Sequence, residues 1–232
     1  MRSTDKKILL APTDLSNFLS CRHLSRRDLD AARGEVKRPV RFGPVIDELR
    51  ERGIAHEMRY LAHLEDQGLS ISRPAESEAS SVERTIAEMR KGVDVVYQAA
   101  LANENWSGKA DFLRKVDSPS TLGDYSYEVI DTKLARDTRA GTILQLCVYS
   151  YLLEALQGVR PRSMYVVTPA SDFEPIEYRI DDYAAYFRLL RKFGDSIPIS
   201  MSRIVRKRQV CCAPNSRSPC LSTIGLGQLF AL

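Results

Sequence analysis

The sequence predicts an α/β fold, in which a central mixed sheet is flanked by helices. The first part of the chain carries apolar residues at the three- and four-residue spacing of helices. The segments DVVYQAAL, WSGKADFLRKV and YSYEVIDTKL then cluster valine, tyrosine, isoleucine and phenylalanine between turn residues, which is typical of strands. An apolar helix and two further strands follow. The order of helices, then β-β-β-α-β, then a last helix indicates a mixed sheet.

Three helices are predicted before the sheet. The first segment begins near Thr13, and the second runs from about Val45 to Gln67, after the connecting segment GEVKRPVRFGP. In the second helix, an apolar stripe that we expect to face the core is formed by Ile54, Met58, Leu61 and Leu64. An adjacent stripe is formed by His56, Tyr60 and His63. The third helix is SVERTIAEMRKG, which follows the polar loop SRPAESEASS.

The elements after the three strands alternate between helix and strand. A helix from about Ala140 to Leu156 is followed by the strand RSMYVVTP and a short strand PIEYRI. The last predicted helix runs from Asp182 to about Lys192.

Length and composition fit one soluble domain of generous size, or one domain with an appendage: 232 residues, of which 44% are hydrophobic and 28% charged. No apolar run approaches the roughly 18–20 residues that cross a bilayer. The start, MRSTDKKILLAPTD, has no long apolar segment and no small-residue cleavage site. We therefore expect a cytoplasmic protein with no membrane partner.

Residues 200–232 differ in composition from the rest of the chain. They include five basic residues and no acidic one, which leaves 29 basic against 30 acidic residues before them. The formal net charge of +4 therefore comes from this tail, and charge alone does not indicate a nucleic-acid partner. The tail also lacks apolar periodicity. Our hypothesis is that it is an atypical basic segment, either frameshift-derived or disordered.

Two aspartates and a lysine stand out in the strands. Asp111 lies in GKADFL, whereas Asp131 and Lys133 lie in VIDTKL and share one face of their strand, because side chains alternate. A returning hairpin would bring Asp111 beside Asp131. Paired carboxylates suit a hard cation such as Mg²⁺ or Mn²⁺, and an adjacent ammonium can stabilise charge on a phosphate. The alternative is an ordinary surface ion pair. Aspartate is disfavoured in strands, which weighs against that alternative.

The helix after these strands adds a second polar pair. Gln145 and Tyr149 are four residues apart in ILQLCVYSYLL and so lie on one face of an otherwise apolar helix. Such a pair alone would mean only the edge of a helix. Placed directly after a strand that carries D-x-K, it is more specific.

The series His56, Asp111, Asp131-Thr132-Lys133 and Gln145-x-x-x-Tyr149 resembles the RecB-like branch of the PD-(D/E)XK nuclease superfamily. The segments PTDLSNFLSCRHLSRRDLDAARGE, RERGIAHEMRYLAHL, YQAAL and VIDTKLAR look like the RecB-like nuclease domains found in bacteria, alone or fused to helicases. The resemblance covers residues 9–195. It implies a restriction-endonuclease-like core, with a central mixed sheet of αβββαβ topology and an N-terminal helical segment.

The resemblance also implies a role for each matching residue. The set that would bind Mg²⁺ or Mn²⁺ comprises His56, Asp111, Asp131 and the backbone carbonyl of Thr132. Lys133 matches the catalytic lysine, and Asp111 and Asp131 the catalytic acids. Gln145 and Tyr149 match the motif that contacts DNA and frames the site. The implied partners are DNA and a helicase of the same pathway, in DNA repair, recombination or defence.

The five cysteines raise the question of an iron–sulfur cluster. In a chain without a secretion signal, an odd number favours buried thiols or metal ligands over disulfides. Related CRISPR-associated exonucleases carry a 4Fe-4S cluster with one cysteine before the nuclease core and three after it. Cys21 matches the first ligand. The later candidates fit poorly, because adjacent side chains diverge: Cys211, Cys212 and Cys220. Cys147 is read as a small buried residue within a helix.

Two functions follow from these observations. The leading expectation is a metal-dependent DNA nuclease that hydrolyses phosphodiester bonds. The alternative is a catalytically weak or inactive nuclease-like module for DNA binding or assembly, which the atypical tail favours. A purely structural α/β protein with fortuitous acids is a third hypothesis.

Overall fold

A six-stranded mixed sheet, a small N-terminal hairpin and six α-helices make up the part of the chain that the computed structural model describes, residues 1–4, 7–38, 43–73 and 81–200. The basic tail after residue 200 lies outside the described residues, and so do three of the five cysteines, Cys211, Cys212 and Cys220. Over the described residues, no helix combines the length and apolar character that crossing a membrane would require.

The elements are numbered in chain order. The helices are α1 (Pro12–Ser20), α2 (Arg22–Ala32), α3 (Pro44–Asp66), α4 (Ser81–Lys91), α5 (Ala140–Gln157) and α6 (Ile180–Ser200). The strands are β1 (Arg2–Thr4), β2 (Lys7–Leu9), β3 (Ile71–Ser72), β4 (Val95–Asn103), β5 (Trp106–Val116), β6 (Ser126–Thr132), β7 (Ser163–Val167) and β8 (Ile176–Arg179).

The large sheet has the strand order β3-β4-β5-β6-β7-β8. Strands β4, β5 and β6 form an antiparallel meander, and β7 pairs parallel to β6 after the crossover through α5. The short edge strands β3 and β8 pair parallel and antiparallel to their neighbours, respectively. The predicted mixed α/β sheet flanked by helices is therefore confirmed. The β1–β2 hairpin and β3 were not predicted, since segments of two or three residues are too short to show a period of two.

Helices pack on both faces of this sheet. On one face, α1, α4 and α5 cover the larger apolar cluster, which includes the buried Trp106 and Tyr127. On the other face, α3 covers a smaller cluster around Tyr60, Phe112 and Ile130. Because neighbouring side chains of a strand point to opposite faces, β6 contributes to both clusters. The carboxyl end of β6 therefore emerges between α3 and α5.

The buried face of α3 is rotated by part of a turn from the predicted stripe: Leu61 and Leu64 are buried as predicted, at 1% and 4% exposure, but the other two members are not. Ile54 and Met58, expected in the core, are 54% and 44% exposed, whereas His56 and Tyr60 are 2% and 1% exposed. Tyr60 packs edge-on against Phe112, with 5.1 Å between ring centroids. Burying the aromatic face of the helix removes a larger apolar area from water than burying two aliphatic side chains would. The rotation also brings His56 to the sheet.

The first predicted helical segment is two helices. They meet at Cys21, whose extended backbone (φ −160°, ψ 108°) ends α1 and precedes α2. Its N–H donates to the carbonyl of Asn17, and its own carbonyl accepts from the N–H of Ser25. The change of direction lets α1 pack on α5 while α2 buries Leu29 completely. At the other end, α6 is longer than predicted and runs from Ile180 to Ser200.

Candidate active site

Asp111 and Asp131 lie on the neighbouring strands β5 and β6. Phe112 pairs with Ile130 across this ladder, so the next row brings Asp111 opposite Asp131. One carboxylate oxygen of Asp111, Oδ2, accepts hydrogen bonds from the backbone N–H and the hydroxyl of Thr132, at 2.9 and 3.0 Å. These two bonds fix the orientation of the Asp111 carboxylate at the end of β6.

Lys133 reaches back to Asp131 from the residue that follows β6. Its Nζ lies 2.5 Å from Oδ2 of Asp131, and the carboxylate side chain is only 5% exposed. The geometry is that of an ion pair without an aligned hydrogen bond, so Oδ2 of Asp131 has no hydrogen-bond partner among the described residues. The Lys133 ammonium therefore offsets the charge of this oxygen, but the ion pair replaces only part of the hydration that the oxygen loses on burial.

The pKa values of Asp131 and Lys133 are shifted by burial and by the charges within the site. Burial, together with the negative charge of Asp111, raises the pKa of Asp131 to about 7, and the Lys133 ammonium only partly offsets this. Burial lowers the pKa of Lys133, but the charges of Asp131 and Asp111 outweigh that effect and raise it. The site therefore holds more negative charge than its own lysine can balance. A divalent cation would relieve the excess.

His56 approaches the same place from α3. Its Nε2 lies 3.3 Å from the carbonyl oxygen of Val167, at the end of β7, which also accepts the backbone N–H of Lys133 at 2.9 Å. Because a carbonyl only accepts, the proton is assigned to Nε2, and Nδ1 is the nitrogen free to bind a metal. His56 does not complete a cluster here: among the described residues, no three His, Cys, Asp or Glu side chains lie close enough to hold a metal ion.

Tyr149 lies over β5 from α5. Its hydroxyl donates to the carbonyl of Lys109 at 2.7 Å, and burial, reinforced by the charges of Asp131 and Asp111, raises its pKa. Gly108 makes this contact possible, because a Cβ there would lie 3.0 Å from Cε1 of Tyr149. The same Cβ would lie only 2.8 Å from Pro12 in α1. Tyr149 is thus held close to both aspartates as a neutral hydroxyl.

Gln145 lies one turn before Tyr149 on the same face of α5. Its side chain is half-buried and has no hydrogen-bond partner within the described part of the chain. The structure therefore brings Asp111, Asp131, Lys133 and Tyr149 together, with the amide of Gln145 free for a further contact.

Two residues at the site were not predicted, Glu57 and Gln98. Glu57 is half-buried on α3 and accepts a hydrogen bond from the side-chain amide of Gln98. Burial and the negative charge of Asp111 raise the pKa of Glu57. Gln98 has a φ of 51° in the middle of β4, a left-handed conformation that costs a non-glycine residue about 1–3 kcal/mol. The position of Glu57 beside His56 was a usable sequence signal, whereas nothing in the sequence indicated the conformation of Gln98.

The two described cysteines lie away from this centre. Cys21 is half-buried at the junction of α1 and α2, and its three suggested cluster partners are outside the described residues. Cys147 is buried in α5, where burial raises the pKa of its thiol to about 12. Cys147 is thus a protonated core residue at neutral pH, as expected for a small buried side chain.

The donor set fits a hard divalent cation. Carboxylate oxygens on adjacent strands are the ligands that Mg²⁺ and Mn²⁺ prefer, and one of them, Oδ2 of Asp131, lacks an aligned donor. Comparison with protein-family models and with curated proteins finds no match for this chain. The assignment of a function therefore depends on the geometry of the site and on the order of its motifs.

Proposed function

We propose that this chain is a divalent-metal-dependent nuclease that hydrolyses phosphodiester bonds in DNA. The observation that carries the proposal is the pair of carboxylates on β5 and β6 beside Lys133, with a buried oxygen of Asp131 that lacks an aligned donor. A restriction-endonuclease-like core of the RecB-like branch is part of the proposal. The consecutive elements α4, β4, β5, β6, α5 and β7 support it, because they follow the αβββαβ order; β3 and α4 separate α3 from this run.

In this proposal, the cation would be held by Asp111, Asp131, the backbone carbonyl of Thr132 and Nδ1 of His56. A bound Mg²⁺ or Mn²⁺ supplies Lewis acidity toward a phosphate oxygen and toward the attacking water. The residues of the chain orient these groups. Thr132 fixes Asp111 through two hydrogen bonds, and Asp131 fixes the ammonium of Lys133.

Lys133 is the catalytic cation of the chain itself. Its raised pKa keeps the ammonium protonated over the working range, so it can donate to a non-bridging phosphate oxygen as negative charge develops there. A positive charge that is already oriented by Asp131 needs no reorganisation when the phosphate reaches the transition state. Lys133 thus acts on the phosphate, whereas Asp131 positions Lys133 and binds the cation.

DNA would contact the α5 side of the site. The Gln145 amide can both donate and accept, which suits a phosphate or a base edge, and the neutral Tyr149 hydroxyl lies beside it. A helicase of the same pathway, a role in repair, recombination or defence, and a 4Fe-4S cluster beginning at Cys21 are further parts of this proposal. The cluster is tested separately, by visible absorbance of anaerobically purified protein.

The second candidate function is a nuclease-like DNA-binding module with little or no activity. The observation that favours it is the position of His56, whose imidazole contacts Val167 and does not form a three-residue cluster with the aspartates. In that case the chain would bind DNA without metal-dependent cleavage.

The test is cleavage of labelled single- and double-stranded DNA in Mg²⁺ or Mn²⁺. We expect Asp111→Ala and Lys133→Ala to abolish cleavage, and chelation to abolish it in the wild type. Asp117→Ala is the matched control, because Asp117 is an exposed carboxylate just beyond the far end of β5. Retained cleavage in either site variant would refute the nuclease proposal. DNA binding without cleavage in the wild type would favour the second candidate.

A further inference from the structure

Gln98 occupies an irregular position of β4 that lies directly opposite Asp111. Tyr97 pairs with Phe112 and Ala99 pairs with Ala110, so one residue of β4, Gln98, faces one residue of β5, Asp111. No residue is inserted in either strand. The irregularity is purely conformational, because Gln98 has a φ of 51° in an otherwise extended strand.

Both strands change faces at this row. In a regular strand, residues an even number of positions apart share a face. Val96 and Ala99 of β4 are three apart, yet both belong to the larger apolar cluster, and the same holds for Ala110 and Leu113 of β5. The left-handed residue therefore re-aims the side chains around Asp111. A glycine would adopt this φ without strain. The presence of glutamine at this position therefore suggests that its side chain has a role.

That side chain links β4 to α3. The amide nitrogen Nε2 of Gln98 donates to Oε1 of Glu57, a contact between residues 41 positions apart. The Glu57 carboxylate in turn interacts electrostatically with both Asp111 and Lys133. Gln98 thus holds the carboxylate of Glu57 on the helix side of the site.

Glu57 changes the charge balance of the site. Asp111 and Asp131 with Lys133 leave one net negative charge, which is less than a divalent cation needs. With the third carboxylate, Glu57, the excess becomes two, which matches a single divalent cation. The buried Oδ2 of Asp131, which lacks an aligned hydrogen-bond donor among the described residues, is a second and independent observation that favours a cation at this cluster.

We propose that Glu57 is a further acid of the cation site, acting through an intervening water, and that Gln98 is the positioning residue that holds it there. The inference rests on the proposed function, since it concerns the same cation. Direct coordination by Glu57 is not invoked, because the proposed direct ligands are already Asp111, Asp131, His56 and the Thr132 carbonyl. An outer acid strengthens binding by charge and by orienting the waters of the cation.

The experiment is Mn²⁺ binding by the full chain without DNA, measured by isothermal titration calorimetry. We expect Glu57→Gln to weaken Mn²⁺ binding about tenfold, the lower end of the effect of outer-shell residues. Glu48→Gln is the matched control, because Glu48 lies on the same helix, is 59% exposed and pairs with Arg52. The control variant should bind Mn²⁺ like the wild type.

Gln98→Gly separates positioning from structure. Glycine relieves the left-handed strain but removes the amide, so we expect a melting temperature equal to or above that of the wild type, together with weaker Mn²⁺ binding. A purely structural role would leave the affinity unchanged. The inference is overturned if both Glu57→Gln and Gln98→Gly bind Mn²⁺ like the wild type while Asp131→Asn does not bind it. Absence of Mn²⁺ binding by the wild type would overturn the inference together with the proposed function.

Discussion

Replacing Asp131 with asparagine should stabilise the metal-free protein at neutral pH, although the substitution removes a buried ion pair. The carboxyl group has a folded-state pKa of about 7, against an ordinary value of 3.8, so folding penalises its charged form. The difference of about 3 pKa units corresponds to at most about 4 kcal/mol, at about 1.4 kcal/mol per unit. Asparagine keeps the shape but leaves Lys133 with only Asp111 and Glu57 as counter-charges. The folded-state pKa of Asp131 already includes the attraction of Lys133, so the lost ion pair does not reverse the sign, and we expect a net gain of about 1–3 kcal/mol in the free energy of unfolding.

The pH dependence gives the sign of the effect. In the unfolded chain Asp131 loses its proton near pH 4, whereas in the folded protein it keeps that proton until about pH 7. The folded state therefore binds more protons between these values, and the stability of the wild type falls as pH rises through this window. Asp131→Asn has no such fall. The two proteins should be similarly stable near pH 4 and differ most at pH 7 and above.

The assay is urea unfolding at pH 4.5, 6 and 8 in the presence of a chelator, repeated at pH 8 with Mn²⁺. Mn²⁺ at about 100 times its dissociation constant should stabilise the wild type by about 2.7 kcal/mol and the variant by much less. The reasoning is refuted if Asp131→Asn is less stable than the wild type at pH 8 without metal. An equal gain from Mn²⁺ in both proteins would also refute it.

Two other predictions concern packing and one concerns pH. Gly108→Ala should lower the free energy of unfolding by about 1–3 kcal/mol, because its Cβ would clash with two side chains, and the displaced α5 should also reduce cleavage. By contrast, Gly53→Ala should raise the free energy of unfolding by up to about 1 kcal/mol, because Gly53 lies within a helix and an added Cβ would meet nothing closer than 3.9 Å. Both effects are measured by urea unfolding, and equal effects of the two substitutions would contradict the packing argument. Asp94, whose pKa is lowered to about 2 by hydrogen bonds from Ser70 and Lys115, should stabilise the protein above pH 4 and lose that contribution as pH falls toward 2. Thermal unfolding of Asp94→Asn should accordingly show a deficit at pH 6 that disappears at low pH, and a deficit independent of pH would contradict this reasoning.

Strand alternation was enough to predict half of the candidate site. Asp131 and Lys133 were expected on one face because they are two residues apart; Lys133 lies just past the end of β6, and the structure joins the two in an ion pair. The mixed sheet followed from the change of period between helices and strands. The roles of these residues, in contrast, came from the order of the motifs, because an isolated D-x-K is also what a surface ion pair looks like.

The rest of the site depends on tertiary packing that leaves little trace in the sequence. The apolar stripe of α3 suggested one orientation of the helix against the sheet. The contact between Tyr60 of α3 and Phe112 of β5, two residues far apart in sequence, favours another. That rotation decides which of the polar residues of α3 reach the sheet. The positive φ of Gln98 could not be predicted for a different reason. Glycine and asparagine commonly adopt a positive φ, whereas a glutamine within a strand rarely does.

The carbonyl of Val167 has a consequence for how this site would vary among related chains. It is a main-chain atom of a strand that carries none of the proposed catalytic residues, yet it meets both the Lys133 backbone and the His56 imidazole. Any residue that can sit in β7 offers the same oxygen, so the spacing between histidine and lysine does not depend on which side chain stands at position 167. Alanine scanning would therefore not detect the role of this carbonyl, because a substitution at position 167 leaves the main-chain oxygen in place. Replacing the amide that follows Val167 with an ester, which weakens the carbonyl as an acceptor, would reveal it.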